Sequence, residues 1–126
     1  MNINEFMKTN EYLDFIRKNP GSGGLRIRAY TASEALPVSG LNIIVSSVIS
    51  GIRVIFYRGI TDTSGMINSI KLPAPKLTNN LEIPSTTTYD IEAFIGDNKS
   101  NFSVNMYDGI FVVQNINFVP GDNYGN

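Results

Sequence analysis

Histidine and cysteine are both absent from this sequence, and each absence removes a class of chemistry. Without histidine there is no Ser-His-Asp or Cys-His relay, no histidine zinc ligand and no imidazole acid-base catalyst. Without cysteine there is no thiol nucleophile and no disulfide, so the fold neither needs nor reports an oxidising compartment. An excess of one charge is also lacking: ten basic and eleven acidic residues leave a formal net charge of -1. That balance offers no electrostatic footprint for a phosphate backbone, and no nucleic-acid partner is expected. Long apolar runs are missing too. Stretches such as Leu41 to Val45 and Ile110 to Val113 fall far short of the roughly 18 residues that span a bilayer, so no membrane insertion is expected.

What is present suits one domain, since 126 residues can close a single hydrophobic core unaided. The first 19 residues have a helical period, with Phe6, Tyr12, Leu13 and Ile16 on one side of a helix wheel. Glu5 and Thr9 interrupt that stripe, and a shorter helix over about Glu11 to Lys18, capped by Thr9 or Asn10, satisfies the pattern equally well. Asn19-Pro20-Gly21-Ser22-Gly23-Gly24 stops it and reads as a linker over residues 20–24.

From Leu25 the period changes to two. Leu25, Ile27 and Ala29 alternate with Arg26, Arg28 and Tyr30 as in a half-buried strand. A turn over Ser33 to Ser39 leads to Gly40 to Ser47, and Ile52 to Ile60 follows with β-branched and aromatic residues. Thr61 to Gly65 reads as a tight turn before a short strand over Met66 to Leu72. Pro73, Pro75 and Pro84 make Pro73 to Thr86 an irregular crossing. Thr87 to Ile95, Asn101 to Tyr107 and Ile110 to Val119 complete the strands, and residues 121–126 read as a loose tail. The spacing predicts an all-β, seven-stranded antiparallel Greek-key sandwich, Ig-like in architecture, over residues 25–120 behind a short helix.

Three segments carry a family resemblance: Leu25-Arg-Ile-Arg-Ala-Tyr, Leu36-Pro-Val-Ser-Gly-Leu-Asn-Ile-Ile-Val and Thr61-Asp-Thr-Ser-Gly. Together they resemble the carboxypeptidase regulatory-like, or transthyretin-like (prealbumin-like), sandwich domain. Tyr89-Asp-Ile-Glu-Ala and Ile116-Asn-Phe-Val-Pro look like that family's closing strands. The helical lead ending in Asn-Pro-Gly and the Leu-Pro-x-Pro crossing are similar to small proteins of spore-forming Firmicutes and to the amino-terminal region of their spore cortex-lytic enzymes. These 126 residues leave no room for a hydrolase module beside the sandwich, and the resemblance implies an accessory or binding role. The opening residues also lack the basic start and apolar core of a secretory signal, so a cytoplasmic (mother-cell) or spore-associated location is expected.

The residues offer little for catalysis. Tyr57-Arg58-Gly59 is similar to the terminal motif of transthyretin-like hydrolases, but it lies in mid-chain, precedes Ile60 and has no histidine to work with. Asp90 and Glu92 fall on one face of a strand, where a pair of carboxylates or a solvated sheet surface gives the same pattern. Asp62, Asp97 and Asp108 each stand in a glycine-containing turn, without the dense acidic spacing of a calcium loop. Some surface-exposed relatives of this fold carry a Lys-Asn isopeptide bond; the corresponding strand here offers Arg26 and Arg28, which are not nucleophiles. Tyr57, Tyr89 and Tyr107 form a candidate ligand strip, with core packing as the alternative. No catalytic residue, metal or cofactor is expected. The functional expectation is a non-enzymatic assembly domain with a protein partner, spore- or envelope-associated; the alternatives are a carbohydrate- or peptidoglycan-binding module and a phage virion decoration protein.

Overall fold

The computed structural model describes residues 1–31, 36–77 and 86–118. Its elements are α1 (Ile3–Phe6), α2 (Asn10–Lys18), β1 (Gly21–Tyr30), β2 (Asn42–Ile49), β3 (Ile52–Ile60), β4 (Met66–Ala74), β5 (Thr86–Ile95), β6 (Asn98–Tyr107) and β7 (Phe111–Asn117). The strands form two sheets, ordered β4-β1-β7 and β3-β2-β5-β6. Period-two alternation buries one face of each sheet against the other: Leu25, Ile27, Ile43, Val45, Ile91 and Ile116 are all within the shared core. Two hairpins are set by turn chemistry. Ser50 and Gly51 take positive φ of 52° and 77°, as a two-residue turn between β2 and β3 demands, and Gly96-Asp97 joins β5 to β6 in unbroken register.

One pairing departs from the antiparallel expectation: β7 runs parallel to β1, from Gly24 beside Phe111 to Tyr30 beside Asn117. The chain crosses between sheets after β6, and the crossing is anchored where Gly109 N donates to Ser22 O at 2.9 Å and Gly24 N to Ile110 O at 3.0 Å. Alternation along a strand does not encode the direction of its neighbour.

The glycine-rich stretch read as a linker is, from Gly21 onward, the opening of β1, paired with Ala74 to Lys71 of β4. The glycines serve close approach: a Cβ on Gly23 would lie 2.4 Å from the Tyr107 carbonyl oxygen. β4 likewise runs through Pro73 to Ala74, which is tolerable because β4 is an edge strand. Residues 32–35 of the first predicted turn, residues 78–85 of the crossing and the tail from residue 119 lie outside the described residues.

The amino-terminal segment is two helices, broken at Met7 to Thr9. Asn2 and Glu5 form a capping box on α1, and Thr9 Oγ1 caps α2 by accepting from Tyr12 N at 3.3 Å. The break resets the helix wheel. From Tyr12 the inward face continues through Phe15 and Ile16, so Phe15 is buried and Leu13, counted in the predicted stripe, is 57% exposed. Phe6 and Phe15 pack on Val54, with Ile49, Ile52 and Phe56 around them. The segment therefore covers the far end of the β2–β3 hairpin of its own sandwich. Asn19 fastens its exit: the Asn19 amide donates to Phe15 O at 2.9 Å, and Thr87 Oγ1 on β5 donates to Asn19 Oδ1.

Candidate functional site

The two carboxylates on β5 point outward from the four-stranded sheet. Glu92 sits between two cations, 3.0 Å from Arg53 Nη2 and 2.8 Å from Lys99 Nζ. The Lys99 hydrogen bond leads in holding its carboxyl below the usual glutamate range, assisted by the charges of Lys99 and Arg53 against partial desolvation. Asp90 accepts from Ser103 Oγ at 3.1 Å, and Arg53 Nε donates to Ser46 Oγ at 3.3 Å. These side chains line a shallow groove of ≈ 470 Å³. A carboxylate held ionised by two cations is a poor proton donor at neutral pH, so the pair reads as a charged sheet surface rather than as acid-base machinery.

The turn aspartates do not converge. Asp62 accepts from Ser64 N at 2.9 Å and Met66 N at 3.0 Å, closing its own turn. Asp97 belongs to the β5–β6 hairpin, and Asp108 accepts from Ser22 N at 3.1 Å while facing Lys76 at 3.8 Å. Among the described residues no three acidic side chains are brought together.

The predicted tyrosine strip is not one surface. Alternation turns Tyr89 into the core, where it is fully buried and its hydroxyl donates to Pro73 O at 2.6 Å; burial pushes that hydroxyl well above the ordinary phenol range. Tyr57 packs half-buried against the core, and Tyr107 is exposed at the end of β6. Tyr57-Arg58-Gly59 lies within β3.

A different surface emerges on the outer face of β4-β1-β7. The Arg26 guanidinium lies 5.0 Å from the centre of the Phe111 ring, and that of Arg28 lies 5.1 Å from the centre of the Tyr30 ring. Arg26 Nε also donates to Asn68 O at 3.2 Å, where the β1–β4 register shifts. Lys71 is opposite Gly24, and Arg28, Tyr30, Asn115 and Asn117 line a groove of ≈ 390 Å³. Among the described residues no carboxylate forms an ion pair with Arg26, Arg28 or Lys71. Sequence reasoning saw the alternation that turns Arg26, Arg28 and Tyr30 outward. It did not place Phe111, Asn115 and Asn117 beside them, because that juxtaposition depends on parallel pairing between the two ends of the chain.

The strand order and the amino-terminal helix define an all-β sandwich with a helical plug at one end. No family model and no curated protein sequence matches the chain. Among solved structures it is similar to transthyretin from Sparus aurata, with a TM-score of 0.46 and 15% identity over 71% of this chain and 86% of that one. It is similar at the same score and identity to sea bream transthyretin in complex with thyroxine, covering 71% of this chain and 85% of that one. At that distance the likeness carries no function across, and the thyroxine belongs to the sea bream protein.

Proposed function

We propose that this chain is a non-enzymatic assembly domain that holds a protein partner on the outer face of β4-β1-β7. The observation that carries the reading is the pair of adjacent arginine-aromatic contacts, Arg26 on Phe111 and Arg28 on Tyr30, held on the paired strands β1 and β7 and free of carboxylate partners among the described residues. Arginine and aromatic side chains dominate binding energy at protein interfaces because they combine large contact area with several donors. With Lys71 beside them, the face suits a partner with an acidic surface. The absence of histidine and cysteine, and the engagement of Glu92 by two cations, support the non-enzymatic side of the reading. A spore or cell-envelope setting rests on the sequence resemblance and is part of the same proposal.

A panel of acidic peptides titrated against the protein tests this. Saturable binding that weakens with salt, falls about tenfold or more in Arg26→Ala/Arg28→Ala and persists in Arg58→Ala is the expected result. No binding, or equal loss in Arg58→Ala, refutes it. A glycan reading has one specific support, the Tyr30 ring flanked by Asn115, Asn117 and Arg28. Binding to purified peptidoglycan that is lost in Asn115→Ala/Asn117→Ala would favour it instead.

A further inference from the structure

Asp108-Gly109, at the turn from β6 to β7, is the one place in the sequence where an aspartate or asparagine precedes a glycine. Glycine has no Cβ to screen its amide nitrogen, so this pair offers the least hindered route in the chain to a cyclic imide. In that reaction Gly109 N bonds to Asp108 Cγ, and the amide proton leaves with the carboxyl hydroxyl as water. A second water opens the imide at the former Asp108 main-chain carbonyl and breaks its bond to the nitrogen, after which the chain runs through Asp108 Cβ and Cγ. Mass is conserved, and neither oxidant nor reductant takes part. The Asp108 side chain is partly exposed, so water reaches it.

The fold holds both reacting groups on a single residue of β1. Ser22 N donates to Asp108 Oδ1 at 3.1 Å, and Ser22 O accepts from Gly109 N at 2.9 Å. Ring closure requires the Gly109 N–H to leave Ser22 O and the carboxyl to swing away from Ser22 N, so both bonds must break together. Lys76 Nζ, 3.8 Å from Asp108 Oδ2, is a weaker second hold on the carboxylate. Gly21 makes room for it, since a Cβ there would run into the Asp108 carboxyl group. We propose that Asp108-Gly109 is a latent isoaspartate site, locked by the Ser22 main chain and open to reaction only while the start of β1 is lifted from the β6–β7 turn. Isomerisation adds a methylene to the main chain at Asp108, and the turn then no longer matches the spacing that joins Gly109 to Ser22 and Gly24 to Ile110. The modification therefore marks each molecule that has opened at this corner.

Incubation of the full chain in oxygen-18 water tests the proposal, because imide hydrolysis leaves a solvent oxygen on residue 108 that peptide mapping locates. The folded wild type is expected to take up label at least about tenfold more slowly than the same chain unfolded in urea. Gly21→Ala, which evicts the carboxylate from Ser22, should raise the folded rate by about tenfold or more with an unchanged far-UV spectrum. Phe15→Ala loosens the amino-terminal helices, leaves Ser22 untouched, and should keep the rate within about twofold of wild type. The wild-type comparison decides by itself if Gly21→Ala does not fold. Labelling of the folded wild type at the unfolded rate, a folded Gly21→Ala no faster than wild type, or equal acceleration in Phe15→Ala would each overturn the assignment.

Discussion

The Phe111 ring packs over Gly24, its register partner on β1, so closely that a Cβ on Gly24 would lie 2.6 Å from Phe111 Cδ2. The aromatic covers backbone that glycine leaves bare, and the Arg26 guanidinium lies over the same ring. The next residue back has a harder neighbour, since a Cβ on Gly23 would meet the Tyr107 and Ile110 carbonyl oxygens at 2.4 and 3.0 Å. An exposed ring can swing aside; a backbone carbonyl cannot. Gly23→Ala should therefore cost about 2–3 kcal/mol in urea unfolding, and Gly24→Ala less than about 1 kcal/mol. Equal costs would show that β1 relaxes as a unit.

The helix register yields a second contrast. Phe15→Ala removes a buried ring from the contact with Phe6 and Phe56 and should destabilise by about 3–4 kcal/mol, whereas exposed Leu13→Ala should stay within about 0.5 kcal/mol. Amide exchange in the free protein should be slow from Tyr12 to Ile16, because nine residues hold a helix only when packed. Deleting residues 1–19 should leave the two-sheet core folded while exposing Val54 and Phe56. Increased dye binding and self-association of the truncated chain would register that exposure.

Tyr89 joins packing to a hydrogen bond. Tyr89→Phe leaves the Pro73 carbonyl without this donor and should cost about 1–2 kcal/mol. The raised folded value also sets an alkaline limit: the stability it contributes is full below the unfolded phenol value of ~10 and falls as pH rises towards the folded one. Tyr89→Phe should lack that part of the alkaline decline, which urea midpoints measured across the range would detect.

Glu92 behaves in the opposite sense, because its folded value is depressed. Its contribution is present above the unfolded glutamate value of ~4.3 and is lost as pH falls through the lower folded value. Glu92→Gln should cost about 0.5–1 kcal/mol at neutral pH in low salt, and the difference from wild type should fade in acid and in high salt. A difference independent of both would mean that the residue acts through shape alone.

The strand pattern was legible because burial on one face imposes period two on each strand separately. Leu25, Ile27 and Ala29, or Tyr89, Ile91 and Ala93, announce their faces without reference to any partner. The outward turn of Arg26 and Arg28 was legible for the same reason. Tyr89 alternates with Asp90, and that strand phase, not the ligand-binding chemistry of its hydroxyl, decides its place in the core. Of the two helix patterns the sequence allows, the structure has the shorter one capped by Thr9; the wheel restarts at that cap, and Leu13 leaves the apolar stripe.

What the sequence by itself determined was therefore local: element type, strand faces, turn positions and the chemistry that histidine and cysteine would have supplied. Tertiary structure alone decided which strands are neighbours and in which direction they run. That choice set β7 parallel to β1, laid Phe111 over Gly24 and beside Arg26, and drew Gly21 to Gly24 into a ladder. Side-chain alternation reports the face a residue presents, while hydrogen-bond partners lie in the plane of the sheet, a direction to which that alternation is blind.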